Sequence, residues 1–389
     1  MLGMMDRSER IRAQAREAGF QFVGVVTADR APQAELLNVW LERGMHGTMT
    51  YMEDPDGRRA DPRAYVPWAR TLVIVALSYY TPQPLSLARE RGAISRYAWG
   101  RDYHGEVRAR LERLRAALEE LSPGCRTHPF VDTSPILEKG LAEAAGLGWR
   151  GKHTNLLRKR QGSWFFLGGL ATDLDLRPDA PARDHCGTCT ACIDVCPTRA
   201  IVAPYVLDAR LCISYLTIER RGPIPRSLRP QIGNRIFGCD DCQDVCPWNR
   251  FAQVTPVEAF QPRDGNLNPP LIELVQMTRG EWNRRFKRTA IRRAHYEGFL
   301  RNVAVALGNG GSFAAVAPLV ARLDDASSLV RGHAAWALGR IRGPRARTAL
   351  VRRRRSEEDP WVREEIELAL QELEQQGDDA RTTVQGDAQ

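Results

Sequence analysis

The 389-residue sequence has no apolar run long enough to cross a membrane. Its strongest, Thr71–Tyr80 (TLVIVALSYY), is about half of the ~20 residues a helical span needs. The opening MLGMMDRSER carries charges where a secretory signal has its apolar stretch, and no twin-arginine signal stands there. A cytoplasmic location is therefore expected. The Gly146–Gly151 loop does not follow a strand as a dinucleotide fingerprint would, which excludes a Rossmann reading. Acidic residues are in deficit: 47 Asp and Glu against 56 Lys and Arg leave a net charge of +9. That balance favours a polyanionic partner and says nothing of the fold. Cysteines number only nine, yet eight of them fall between Cys186 and Cys246. In a reducing compartment such clustering points to metal binding and away from disulfides.

The first part of the chain interleaves helix and strand patterns. Ser8 caps a helix with Ile11, Ala15 and Ala18 on one face, ended by Gly19. Phe20–Val26 reads as a strand, and Thr71–Tyr80 as a buried one. Gly105–Leu121 is an amphipathic helix with Val107, Leu111, Leu114 and Leu118 at helical spacing. Thr127–Val131 and Trp164–Ala171 are strand candidates, and Pro135–Ala145 is a helix opened by its proline. This argues for an α/β or α+β layer over residues 1–178. Composition shifts at Arg177–Asp184, and a ferredoxin-like cysteine segment occupies 179–255. Val254–Pro270 leads into a helical region, 270–376. There RNVAVALG (Arg301–Gly308) resembles RGHAAWALG (Arg331–Gly339), and Val330–Arg331 recurs as Val362–Arg363. A spacing near thirty residues suggests HEAT-like helix pairs, with a plain bundle as the alternative. Residues 377–389 are polar and expected to be disordered.

The first cysteine motif is Cys186-x2-Cys189-x2-Cys192-x3-Cys196-Pro197, the spacing of two-cluster bacterial ferredoxins, in which the fourth cysteine serves the other cluster. The second is Cys239-x2-Cys242-x3-Cys246-Pro247, with Cys212 well upstream. The crossover rule assigns Cys186, Cys189, Cys192 and Cys246 to cluster one. It assigns Cys196, Cys212, Cys239 and Cys242 to cluster two. Each is then a complete 4Fe–4S site. Zinc would favour paired CxxC units with four ligands per loop. Cys125 is left over and reads as a small packing residue.

Val131–Leu157 (VDTSPILEKGLAEAAGLGWRGKHTNLL) places Asp132 between a strand and a helix. That is a common place for a site, but local physics alone favours a helix cap shared with Thr133 and Ser134. This segment, with SRYAWGRDYH (Ser95–His104), GSWFFLGGL (Gly162–Leu170), both cysteine motifs and the HEAT-like region, resembles the cobalamin-dependent epoxyqueuosine reductases of queuosine biosynthesis. The resemblance covers nearly the whole chain. His153 stands where the family pattern has Asn.

The resemblance implies reduction of the epoxide of epoxyqueuosine, at the wobble position of tRNA, to queuosine. It implies cobalamin, cob(II)alamin at rest and cob(I)alamin when active, between substrate and the nearer cluster, with Asp132 as proton donor. Such an acid needs a raised pKa, usually through burial in an apolar site. Asp132 is also a candidate cobalamin contact, with Arg59, Tyr97, Lys152, His153, Asn155 and Ser214, these six each with a plain surface or loop reading beside it. Arg284, Arg285, Lys287, Arg288, Arg292 and Arg293, interleaved with Trp282, Phe286, His295 and Tyr296, form a candidate tRNA surface, with Arg301 at the end of the run and Arg352–Arg355 as a second one. The alternative is a solvated helix face. A wobble base would have to flip out of its stack to react. An external low-potential donor and a monomeric chain complete the expectation. Two other readings stay open: a small-molecule reductase of the reductive dehalogenase kind, and a non-catalytic ferredoxin-type carrier.

Overall fold

The computed structural model describes residues 7–86 and 88–386, with side chains through residue 375. The chain forms two compact units. One comprises the chain up to Pro82 with Arg96–Cys212 and Asp240–Pro262; the other comprises Gln83–Ser95, Ile213–Cys239 and the chain from Arg263.

The first unit is built on four strands: β1 (Phe22–Thr27), β2 (Thr71–Ser78), β3 (Thr127–Phe130) and β4 (Phe165–Thr172). Their order is β1-β2-β4-β3, and every neighbouring pair is antiparallel. Of the two fold classes left open, the sheet therefore takes the α+β form. Alternate residues of β2 enter two cores. Val73, Val75 and Leu77 pack with helices α1 (Arg7–Glu17) and α2 (Tyr103–Leu121). Leu72, Ile74 and Ala76 pack with helix α3 (Glu138–Ala144). Both faces of β2 are covered, which explains its unbroken apolar sequence. The apolar stripe of α2 is fully buried as its spacing predicts, at ~1.5–3 kcal/mol per large side chain. Gly169 on β4 is required by that packing: a Cβ there would lie 2.4 Å from Phe130 Cζ. Cys125 packs against the first core.

Two single-turn helices in this unit, Ala191–Asp194 and Asp241–Asp244, each run into Asp-Val-Cys-Pro. Each therefore presents two cysteines one helical turn apart, Cys192 with Cys196 and Cys242 with Cys246.

The second unit is mainly helical. Helices α4 (His295–Gly310), α6 (Ser328–Ile341) and α8 (Pro360–Gly386) lie side by side, backed by α5 (Val316–Arg322) and α7 (Pro344–Arg354). These are the expected HEAT-like pairs. The repeated Ala-Leu-Gly marks where successive helices touch: a Cβ on Gly308 would sit 2.9 Å from Ala337 Cα, and one on Gly339 3.0 Å from Ala369 Cα. Residues 377–389 were expected to be disordered, but α8 continues as helix to Gly386; residues 387–389 lie outside the described residues. Among the described residues, no helix is long and apolar enough to cross a membrane.

Candidate active site and cluster cradles

The chain leaves edge strand β3 at Phe130, and two residues later Asp132 adopts φ +47°. Few non-glycine residues take this conformation, Asp and Asn most readily, and it persists only where the surroundings hold it. Here the Asp132 N–H donates to Glu138 Oε1 at 2.7 Å. Tight turns, Thr133 N–H to Val131 O and Ile136 N–H to Ser134 O, occupy the residues between. They delay α3 to Glu138, three residues after the expected start at Pro135. Its N-cap is Leu137, with no side-chain cap bond, so the cap reading of Asp132 is set aside.

The Asp132 side chain belongs to a polar array. Its Oδ2 lies 2.9 Å from His104 Nε2, and His104 Nδ1 lies 2.6 Å from Asp102 Oδ1. Asp102 also caps α2, which fixes the ring at the first turn of that helix. Burial opposes charge on His104, but the bonds to Asp102 and Asp132 outweigh it and raise its pKa to about 9. Tyr103 stacks on Phe166 with ring centroids 4.1 Å apart, and burial with the Asp132 charge raises its hydroxyl pKa. Asp132 was expected to be the buried carboxyl. It is instead 53% exposed, as a group that must reach a ligand needs to be. The pKa of Glu138 beside it is pushed up to about 8 by burial and by the charge of Asp132. Sequence reasoning missed Asp102, His104 and Glu138, although the stretch ending in Asp102-Tyr103-His104 had drawn attention for other reasons.

Cys186, Cys189, Cys192 and Cys246 line one cavity of about 230 Å³. They come from both cysteine motifs, as the crossover requires. Burial raises the Cys186 thiol pKa, while the Lys152 backbone N–H and the Trp149 indole N–H lower it. Cys246 is likewise opposed by burial and favoured by the backbone N–H groups of Trp248 and Asn249. Donors aimed at sulfur are what a thiolate cluster needs. One further buried ring nitrogen here, His153 Nε2, has no hydrogen-bond partner. An acceptor-rich iron–sulfur core fits such a lining. Cys242 is half-buried; desolvation raises its thiol pKa, and nearby Cys212 and Cys196 add to the rise. The Cys196 sulfur accepts the Ala200 N–H at 3.2 Å. Cys239 belongs to the other unit and follows its strand Arg235–Phe237.

The expected cobalamin contacts separate into groups. The Tyr97 ring meets Tyr103, and Asn155 Oδ1 accepts Lys139 Nζ at 2.9 Å, next to Glu138. Lys152 and His153 line the cysteine cavity; Lys152 Nζ donates to the carbonyls of Gly187 and Cys189 at 2.7 and 2.9 Å. Arg59 bonds to Asp54 and Tyr51, and its buried Nε has no acceptor. Ser214 lies on helix Ile213–Ile218 of the other unit.

Three families match along the chain: the 4Fe-4S double cluster binding domain over 185–249, Epoxyqueuosine reductase QueG, DUF1730 over 59–133, and HEAT repeats over 273–371. The epoxyqueuosine reductase of Xanthomonas campestris pv. campestris is 46% identical over 341 residues, covering 86% of this chain and 96% of that protein. The one from Pseudomonas aeruginosa is 48% identical over 344 residues, covering 86% and 94%. The chain belongs to the epoxyqueuosine reductases. A solved member of the family, bound to an epoxyqueuosine-modified tRNA-Tyr stem loop, superposes with a TM-score of 0.88. It is 32% identical, and the match covers 94% of this chain and 98% of that one. The Bacillus subtilis epoxyqueuosine reductase, solved with its catalytic Asp loop swung out of the active site, superposes at 0.87 with 30% identity over 94% and 98%. The cysteine segment is accordingly a double 4Fe–4S domain.

In the second unit of this family member, Arg284, Lys287, Arg288, Arg292 and Arg293 are exposed, while Arg285 is partly covered and bonds to the Gly265 carbonyl. Arg293 pairs with Glu219 at 2.8 Å, and Arg292 stacks over Trp282. The interleaved aromatics do not form the expected stacking platform. Trp282, Phe286 and Tyr296 are buried, because helical spacing turns them inward as it turns the arginines outward. His295 alone of the four is exposed. Arg301 is buried too, donating to the carbonyls of Leu216, Arg220 and Gly222. It is a structural clamp and no phosphate ligand. In the second run Arg352, Arg354 and Arg355 are exposed, and Arg353 pairs with Glu357.

Proposed function

We propose that this chain reduces epoxyqueuosine to queuosine at the wobble position of tRNA, with cobalamin as the reducing cofactor. The observation that carries the reading is the Asp102–His104–Asp132 array, held beside a double-cluster domain in a chain similar to epoxyqueuosine reductases over nearly its full length. A bare electron carrier has no use for such an array.

Removing the epoxide oxygen as water breaks two C–O bonds, forms the alkene, and consumes two electrons and two protons. Cobalamin, when bound, would supply the electron pair, and clusters held by the eight cysteines would supply electrons singly. The chain supplies the protons and the enclosure. Asp132 delivers a proton to the leaving oxygen, and His104 Nε2–H, 2.9 Å from Asp132 Oδ2, is the reservoir that restores it. Asp102 fixes the imidazole through Nδ1, so the proton in transit sits at Nε2. Glu138 holds the strained backbone of Asp132 by accepting its N–H.

We assign Cys186, Cys189, Cys192 and Cys246 to one cluster and Cys196, Cys212, Cys239 and Cys242 to the other. A position of the second beside the acid is supported by Lys139, adjacent to Glu138, which lies within electrostatic reach of Cys242, Cys212 and Asp132. The corrin's polar rim is assigned to Arg59, Tyr97, Asn155 and Ser214; the buried, unpaired Arg59 Nε fits an amide-rich ligand. Lys152 and His153, which line the cysteine cavity, are assigned to the first cluster. Anionic tRNA is assigned to the exposed arginines of the second unit. The test is an anaerobic absorption titration of cobalamin into iron- and sulfide-reconstituted protein, followed by turnover with and without it. Saturable spectral change and cobalamin-dependent turnover are expected. Equal turnover in cobalamin-free protein overturns the reading.

A further inference from the structure

We infer that His153 donates its Nε2–H to a sulfur of the first cluster and thereby raises that cluster's reduction potential. The inference deepens the ligand assignment above and rests on it. It does not depend on the substrate or on cobalamin.

Four observations lead there. His153 is 3% exposed and lines the cavity shared by Cys186, Cys189, Cys192 and Cys246. Its Nδ1 accepts the Asn155 N–H at 3.2 Å. A neutral imidazole whose Nδ1 accepts must carry its hydrogen on Nε2. Burial disfavours charge on the ring. The Nε2–H is buried and has no partner in the protein. Buried donors are almost always satisfied, and one left without an acceptor is costly.

The local sequence supports that orientation. Gly151 stands against the ring: a Cβ there would lie 3.0 Å from His153 Cε1 and 3.2 Å from Nε2. Any larger residue would crowd the donor. The neighbouring cation is already committed, since Lys152 Nζ is bound by the Gly187 and Cys189 carbonyls. The acceptors this cavity gains when loaded are thiolates and sulfides. An N–H donated to cluster sulfur stabilises the reduced, more negative state more than the oxidised one, so the potential rises. His153 is thus a positioning residue for electron entry.

The experiment is a redox titration, followed by electron paramagnetic resonance, of the full chain loaded with both clusters and no cobalamin. Wild type, His153→Phe and His153→Gln are compared, and the first cluster's signal is identified by its loss in Cys246→Ser. In His153→Phe the reduction equilibrium of the first cluster should fall about tenfold, which is ~59 mV for a one-electron couple. The second cluster should not move. His153→Gln, which keeps an N–H donor, should recover most of the difference. The inference is overturned if neither cluster moves, if only the second moves, or if Gln falls as far as Phe. Should the variants not load the first cluster, wild-type protein with ¹⁵N-histidine decides the question. A nitrogen coupling and an exchangeable proton at the reduced first cluster support the bond, and their absence refutes it. Because turnover is not read, failure here leaves the epoxyqueuosine assignment standing.

Discussion

Replacing His104 by Gln removes one positive charge from between two carboxylates and keeps a donor near Asp132. His104 titrates at about 9 against an ordinary value of 6.5. At ~1.4 kcal/mol per tenfold change, that rise is ~3 kcal/mol at full strength. The ring is about one-third exposed and Asp132 about half, so solvent screening reduces the contribution to about 1–2 kcal/mol. The sign follows from a pKa raised on folding: the stabilisation is complete below about pH 6.5 and is lost as pH climbs through about 9. Glu138 is raised as well, from 4.5 to about 8, so its contribution falls with rising pH over a lower window, and the difference between wild type and variant isolates the His104 slope. Thermal unfolding of wild type and His104→Gln, measured between pH 6 and 9.5, is the assay. The variant should melt about 2–4 °C lower at pH 6.5, and the gap should close by pH 9.5. A gap that does not change with pH, or an imidazole that titrates near 6.5 by NMR, would refute the charged array.

Asp132→Asn should keep both clusters, read as iron content and visible absorbance, while turnover falls 10²–10⁴-fold, the usual contribution of a placed acid; near-normal turnover removes Asp132 from the mechanism. Cys246→Ser should abolish the cluster held by the first motif and spare the one held by Cys212, and the opposite pattern would break the crossover. The triple change Arg284→Ala, Lys287→Ala and Arg288→Ala should flatten the salt dependence of stem-loop binding by about one unit of log–log slope per lost phosphate contact. Trp282→Ala, by contrast, should cost ~3–5 kcal/mol of stability, since that ring is core.

The parts of the fold legible in the sequence were those written in periodicity or spacing. The α2 stripe, the β2 run and the Ala-Leu-Gly repeat each encode a local packing relation, and each has its expected partner. The double-cluster segment was legible because a cubane imposes spacing on its ligands. Sheet direction was not, because β2 is covered on both faces and so looks like a strand of a parallel sheet. The array around Asp132 was missed for another reason. His104 and Glu138 reach Asp132 from the starts of different helices, and no local pattern announces that meeting. The basic stretch misled over its aromatics, since a run of Arg and Trp reads equally as a stacking surface or as two faces of one helix; burial decides between them.

The central claim is chemical: this chain removes the epoxide oxygen from epoxyqueuosine in tRNA. The most direct measurement is mass analysis of nucleosides from an epoxyqueuosine anticodon stem loop, after anaerobic incubation with the cluster- and cobalamin-loaded protein and a low-potential reductant. The account predicts queuosine, one oxygen lighter, formed by the wild type and almost lost in Asp132→Asn. Unchanged epoxyqueuosine with the fully loaded wild-type protein would contradict it.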